Sequence, residues 1–322
     1  MTGVTGDVGT AADGGLPWPL DIIARRPRLA ALAGALCIAF SGIFYRYSAV
    51  TPETGTVYRC LFGLPLLALV AWGEHRRLGP MPRRNLRLAA IAGIFFAGDL
   101  TLWHHAIEAV GAGLATVLGN LQVIIVGLVA WVVLGERPSR SVVLALPVVL
   151  VGVVLISGLI DGDAYGRDPV LGAILGILTA FCYAGYLLVI RGVGRDLRRP
   201  AGPVVVSTAA TALTAVVFGV GVGTLDPVPA VESLAWLAVL GVTAQSAGYL
   251  MISLSLPRLP AVLTSMILLA QPVATMFLSI ALLGEAPSVA QLGGVVLVIG
   301  GIAIATMPVA RLRASFRGES AS

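Results

Sequence analysis

The 322-residue chain is 57% hydrophobic and only 11% charged, with a formal net charge of +5 and a mean hydropathy of +0.95. A soluble globular domain usually carries roughly 25% charged residues, so this composition excludes a water-facing surface over most of the chain. Every basic side chain is an arginine, and the arginines are scattered over short polar breaks rather than gathered in a patch. That pattern argues against a nucleic-acid partner and for a lipid bilayer.

Residues 1–28 are Gly-rich and polar and read as a disordered cytoplasmic tail. Arg25, Arg26 and Arg28 then precede an apolar run with no small-residue cleavage site, so the run reads as a retained helix rather than a signal peptide. Apolar runs follow at 29–48, 54–73, 86–106, 112–134, 141–159, 170–190, 203–223, 233–255, 261–283 and 289–308. Most hold about the 20 residues a helix needs to cross a roughly 30 Å hydrocarbon core. They lack the period-2 alternation of barrel strands, and backbone groups in lipid must otherwise be satisfied within a helix. The expected fold is therefore an all-α membrane protein of ten transmembrane helices, with an extracytoplasmic linker at 160–169 and a cytoplasmic tail at 309–322.

Arginines orient such a bundle. With the N-terminus inside, Arg76, Arg77, Arg83, Arg84, Arg137, Arg191, Arg198, Arg199 and Arg311 fall on the inner side, whereas Arg46 and Arg167 fall outside. Both termini are expected to be cytoplasmic, in the plasma membrane. The chain also repeats itself. Leu134 to Ser139 reads LGERPS and Leu283 to Ser288 reads LGEAPS, an offset of 149 residues (283 − 134) that also aligns Gln122 with Gln271. A looser match sets Phe40 on Phe181 and Tyr45 on Tyr186. Each half, 29–159 and 170–308, then holds five spans. Five is odd, so the second half inserts upside down relative to the first, as in many secondary transporters with a site near the midplane.

Asp99 is the one carboxylate read as lying well inside a span. An acid there is costly and faces a partner or a water-filled cavity. Phe96, Asp99, Leu100 and Trp103 form one helical stripe, and their repeat mates include Gln245 and Tyr249. If both stripes face a central cavity, the candidate substrate residues are Asp99, Trp103, Gln245 and Tyr249, joined by the amide pair Gln122 and Gln271 and the pair Tyr45 and Tyr186. Helix-to-helix bonding or packing remains the plainer alternative for each of them singly. Arg59 could attract an anion, but snorkelling to the interface is the favoured reading. His104 and His105 point apart by about 100° on a helix, which disfavours a shared metal. Cys37, Cys60 and Cys182 all lie in apolar runs, and no CxxC or Walker A motif occurs. Ser288 with Gln291 fits a capping box at the start of the last span.

The duplicated LGE-x-PS segments, Gln271-Pro272 before the second copy and Tyr58-Arg59 opening the second span resemble EamA-type members of the drug/metabolite transporter superfamily. The resemblance covers about residues 29–308. It implies a ten-helix bundle that moves metabolites, amino acids or drugs, often outward and often coupled to protons. One departure is Val123, which stands where the second repeat has Pro272, so the first repeat's fourth helix is expected to lack that kink. The expectation is a small-molecule transporter, monomer or homodimer, without cofactor or catalysis. A membrane-embedded lipid-modifying enzyme or a lipid-binding scaffold stays open as the alternative.

Overall fold

Prolines and glycines at the ends of the apolar runs set where helices start and stop. The computed structural model describes residue 20 and residues 23–134, 140–160, 163–193, 198–255, 258–259 and 267–306. Residues 135–139 of the first LGE-x-PS segment and nearly all of both terminal tails lie outside the described residues. Among the described residues every regular element is helical.

In chain order the helices are α1 (Pro27–Ala39), α2 (Ser41–Ser48), α3 (Pro52–Leu78), α4 (Arg83–Val110), α5 (Ala112–Gly119), α6 (Gln122–Leu134) and α7 (Arg140–Ile156). After a connection come α8 (Pro169–Val193), α9 (Ala201–Val222), α10 (Val231–Leu240), a π-helical stretch (Gly241–Gly248), α11 (Tyr249–Ser255), α12 (Ala270–Leu283) and α13 (Val289–Thr306). Among the described residues, six stretches are long and apolar enough to cross a membrane: Pro27–Ser48, Pro52–Leu78, Arg83–Val110, Pro169–Ile190, Ala201–Val222 and Val231–Ser255. Four shorter apolar helices accompany them: Ala112–Val126, Arg140–Ile156, Ala270–Leu283 and Val289–Ala305. Large apolar side chains such as Leu69, Trp72, Leu213, Val217 and Val296 point away from the bundle, which suits a surrounding of lipid rather than water.

Helix ends are satisfied locally. Thr51 accepts from the Thr54 N–H at the start of α3. The capping box forms as the sequence suggests: the Gln291 N–H donates to Ser288 Oγ at 3.2 Å, and the Ser288 N–H donates to Gln291 Oε1 at 3.0 Å. Two carboxylates reach across the bundle to cap other helices. Glu74 accepts from Ala201 N and Gly202 N, each at 2.8 Å, and Glu285 accepts from Ala112 N at 2.6 Å and Gly113 N at 3.1 Å. A negative group beside unmet helix N–H donors is stabilised by both hydrogen bonds and the helix dipole. The second of these is possible because the chain swings through Gly111 at φ +89° between α4 and α5. A Cβ there would sit 2.8 Å from the Glu285 carboxyl, so the position needs glycine twice over.

α4 packs along α8, α3 and α4 pack along α9, and α7 packs along α13. The last pair meets through backbone: a Cβ on Gly152 would lie 2.8 Å from the Gly294 carbonyl oxygen, and one on Gly294 would lie 2.6 Å from that of Gly152. Small residues at such a seam let two membrane helices approach closely.

Several helices are interrupted near their middles. Turns at Phe40 and at Asn120–Leu121 separate α1 from α2 and α5 from α6, and a turn at Leu269 precedes α12. Leu269 follows Asn120 by 149 residues (269 − 120), the spacing of the sequence repeat. The expectation that Val123 spares the first repeat a kink is therefore corrected. The fourth span breaks without proline, at a Gly119-Asn120 pair whose Asn120 Nδ2 donates to the Thr116 carbonyl at 2.8 Å. A side chain that competes for backbone carbonyls can end a helix as a missing N–H does.

Candidate functional site

The interruptions surround a cavity of about 620 Å³ in the middle of the bundle. Both halves of the chain supply its walls. Ile38, Ser41, Arg59, Asp99, Trp103, Thr116, Asn120 and Gln122 come from the first, and Thr179, Tyr183, Tyr186, Tyr249, Ile252 and Gln271 from the second. Mostly apolar walls with a few polar groups are the usual make-up of a small-molecule pocket.

Six of the eight residues singled out in the sequence meet here: Asp99, Trp103, Gln122, Tyr186, Tyr249 and Gln271. The α4 stripe explains two of them. Asp99 and Trp103 are one turn apart and look inward, while Phe96 below them packs its ring against Tyr186 at 4.7 Å and edge-on to Tyr249 at 5.2 Å. The other two residues lie elsewhere. Tyr45 is 2% exposed, stacks on His104 with ring centroids 4.0 Å apart and donates to Glu108 Oε1 at 3.0 Å. Gln245 is fully buried one layer behind the cavity wall, where its Nε2 donates to Thr208 Oγ1 and its Oε1 accepts from Arg59 Nε, both at 3.0 Å.

Arg59 corrects the snorkelling expectation. It is 1% exposed and lines the cavity. α3 begins at Pro52 and runs 27 residues, which puts Arg59 two turns below the helix end, beyond easy reach of the interface. Inside, its Nε edge is held by Gln245 and its guanidinium carbon lies 5.9 Å from the Trp103 ring centroid, close enough for a cation–π contribution. Among the described residues its Nη1 has no hydrogen-bond partner, and neither have Gln122 Oε1 and Thr179 Oγ1. These three unmet polar atoms belong to residues that line the same cavity. Arg59 and Asp99 form no salt bridge with each other.

The residues sequence reasoning passed over are Tyr183, Thr116 and Thr179. Tyr183 precedes Tyr186 by one turn of α8, and the two rings stack at 5.6 Å with 12° between planes. The i, i+3 spacing of those tyrosines was the available signal. His104 is fully buried, with Nδ1 3.0 Å from Thr56 Oγ1 and 3.2 Å from the Pro52 carbonyl, and His105 Nε2 lies 2.9 Å from Glu53 Oε1. Both histidines belong to helix contacts. Among the described residues no three His, Cys, Asp or Glu side chains are arranged to hold a metal ion.

The two ends of the cavity differ. Towards one end its walls reach Arg199, Pro200 and Ser253. The opposite end is tied shut by cross-bundle contacts: Glu285 on the α5 N-terminus, His105 with Glu53, the Tyr47 hydroxyl on the Leu282 carbonyl at 3.0 Å and the Tyr58 hydroxyl on the Pro227 carbonyl at 2.7 Å.

Comparison with known proteins adds a family, two curated relatives and a solved structure. The EamA-like transporter family matches this chain twice, over residues 26–158 and 170–307. Among curated proteins, the chain is 27% identical over 288 residues to an uncharacterized protein, PA1977, of Pseudomonas aeruginosa, covering 88% of this chain and 96% of that protein. It is 24% identical over 283 residues to the uncharacterized transporter YwfM of Bacillus subtilis, covering 82% and 89%. A solved crystal structure, described only as that of a protein, superposes with a TM-score of 0.60 at 21% identity over 88% of this chain and 98% of that one, which shows a shared fold.

Proposed function

The chain belongs to the EamA-like transporter family, and on that premise we propose that it is a ten-helix secondary transporter working by alternating access. Its two halves, residues 29–159 and 170–308, insert with opposite orientation and rock about the central cavity. The substrate is a small metabolite, amino acid or drug, moved outward across the plasma membrane with both termini cytoplasmic. Coupling runs through protons, with Asp99 the group that exchanges them.

The observation that carries this reading is a cavity walled by both halves, closed over at one end by cross-bundle contacts and extending to Arg199 and Pro200 at the other. In the orientation set by the arginines, the Arg199 end is cytoplasmic, so this conformation receives cargo from inside. Interrupted helices at Asn120 and Leu269, at the repeat spacing, support the same view, since broken helices at the midplane recur where transporters bind substrate. A scaffold or lipid-binding bundle would have little use for a void of this size with charged and polar groups set in its walls.

Solute counterflow in proteoliposomes tests the proposal. Vesicles loaded with amino acids, nucleobases, polyamines and cationic drugs in separate batches should take up the matching labelled compound in at least one batch. Failure in every batch, with protein correctly folded and inserted in both orientations, would count against transport.

A further inference from the structure

We propose that the connection between α3 and α4 is a docking site for one anionic phospholipid, with its phosphate on a cluster of arginines and an acyl chain in the apolar slot beside them. The inference needs only a membrane around the chain, and it holds whatever the central cavity carries.

Five arginines fall between positions 76 and 87: Arg76, Arg77, Arg83, Arg84 and Arg87. All five are exposed, and among the described residues none of them pairs with a carboxylate. The acid next to them in sequence, Glu74, is 3% exposed and accepts from Ala201 N and Gly202 N across the bundle. Its charge is turned inward. Arg199 steadies the connection by donating to the Leu78 carbonyl and, at 2.8 Å, to the Gly79 carbonyl. A cluster of like charges held together without counter-ions attracts an anionic lipid surface over about a Debye length.

Charge alone would fit any anion, and the neighbouring surface selects a lipid. A cavity of about 310 Å³ lies between the ends of α3, α4 and α9, and Ala71, Met81, Leu86, Val205 and Val206 give it a largely apolar wall. Along the outer side of α3 the side chains change in the order a lipid molecule does. Leu69 is 61% exposed, Trp72 one turn on is 57% exposed, and the Arg76 guanidinium lies 5.2 Å from the Trp72 ring centroid. Tryptophan favours the level where acyl chains meet headgroups, so Leu69, Trp72 and Arg76 mark hydrocarbon, boundary and phosphate in turn. A soluble anion would leave the slot empty. A zwitterionic lipid would bring a cation that five arginines repel.

The test uses the purified full-length chain, stripped of lipid in detergent and incubated with equal amounts of phosphatidylglycerol and phosphatidylcholine of the same acyl chains. Lipid that stays with the protein through size exclusion is counted by mass spectrometry. Phosphatidylglycerol should be retained about tenfold over phosphatidylcholine, as expected when two or more arginines act on one headgroup. Excess glycerol phosphate, the headgroup without chains, should not displace it. Arg76→Gln with Arg83→Gln and Arg84→Gln should remove the preference. Arg26→Gln with Arg28→Gln and Arg140→Gln removes as many charges elsewhere and should keep it. Ala71→Phe leaves every arginine in place but fills the slot, so retention should fall severalfold. Equal retention of the two lipids overturns the proposal, as does a preference that both triple variants reduce alike, which marks diffuse surface charge. Unchanged retention in Ala71→Phe overturns the slot, and displacement by glycerol phosphate gives the arginines to soluble phosphates instead. The lipid comparison and the glycerol phosphate competition need no variant, so both stand even if a triple variant does not fold.

Discussion

Arg59 Nε donates to Gln245 Oε1 over 3.0 Å, joining residues 186 positions apart in sequence. The bond fixes a buried cation from α3 with a neutral amide from the π-helical stretch. Had the partner been a carboxylate, the guanidinium would be neutralised within the protein and have little to offer a ligand.

Gln245→Glu therefore separates stability from function. The new ion pair should hold or raise the melting temperature, while substrate affinity falls by about tenfold or more, because Arg59 is already satisfied. Gln245→Leu should instead destabilise by about 1–3 kcal/mol by stranding the buried Arg59 Nε donor and the Thr208 Oγ1 acceptor. Thermal unfolding in detergent and binding on the same samples check both.

Gly63 and Gly241 hold α3 against the π-helical stretch. A Cβ at Gly63 would come within 2.8 Å of the Gln245 side chain, and one at Gly241 within 2.7 Å of the Arg59 carbonyl. Gly63→Val should push Gln245 off Arg59 and raise the transport KM severalfold. Uptake kinetics on protein of normal expression and elution would show it, and unchanged kinetics would mean that the seam does not set the site.

Glu285→Gln weakens the seal opposite Arg199. The carboxylate serves two α5 N–H donors, and losing its charge should cost about 1–2 kcal/mol of closure. In a background with Cys37, Cys60 and Cys182 replaced, Asn120→Cys reports on the cavity. A membrane-impermeant thiol reagent applied from the sealed side should label it several times faster when Glu285→Gln is present.

Asp99→Asn should abolish uptake driven by a pH gradient while counterflow persists with a raised KM, since Asp99 also lines the cavity, and with the melting temperature changed by little. Substrate-free proton flux in the same vesicles gives an independent reading. A pH-dependence identical to wild type would take Asp99 out of coupling.

Tyr45→Phe and Tyr249→Ala distinguish scaffold from wall. Tyr45 gives its hydroxyl to Glu108, so its loss should lower stability by about 1 kcal/mol and leave affinity alone. Tyr249 lines the cavity, so Tyr249→Ala should weaken substrate binding severalfold. Titrations of both variants with one ligand are sufficient.

Much of the arrangement was legible in the chain because lipid leaves so few options. Asp99 stands out in an apolar run, and duplication ties Gln122 to Gln271, so those residues could be placed together before any fold was known. Arg59 was misjudged for a physical reason: its depth depends on where α3 begins, and the helix starts at Pro52, ahead of the apolar run and of its polar Glu53. Tyr45 matched Tyr186 in register, yet α2 is set off from α1 by the turn at Phe40, while α8 runs unbroken from Pro169, so the two tyrosines face different neighbours. The break at Asn120 carried no proline, and the π-helical stretch has no sequence signature beyond its glycines.

The cavity divides its labour by helix. The charged fixture comes from α3 and its amide brace, whereas the flat wall of Tyr183 and Tyr186 comes from one face of α8. Changes along that face can widen, narrow or polarise the space for cargo without touching the charged fixture. Such a layout lets cargo diversify among descendants by exchange of a few α8 side chains, with the translocation machinery inherited intact.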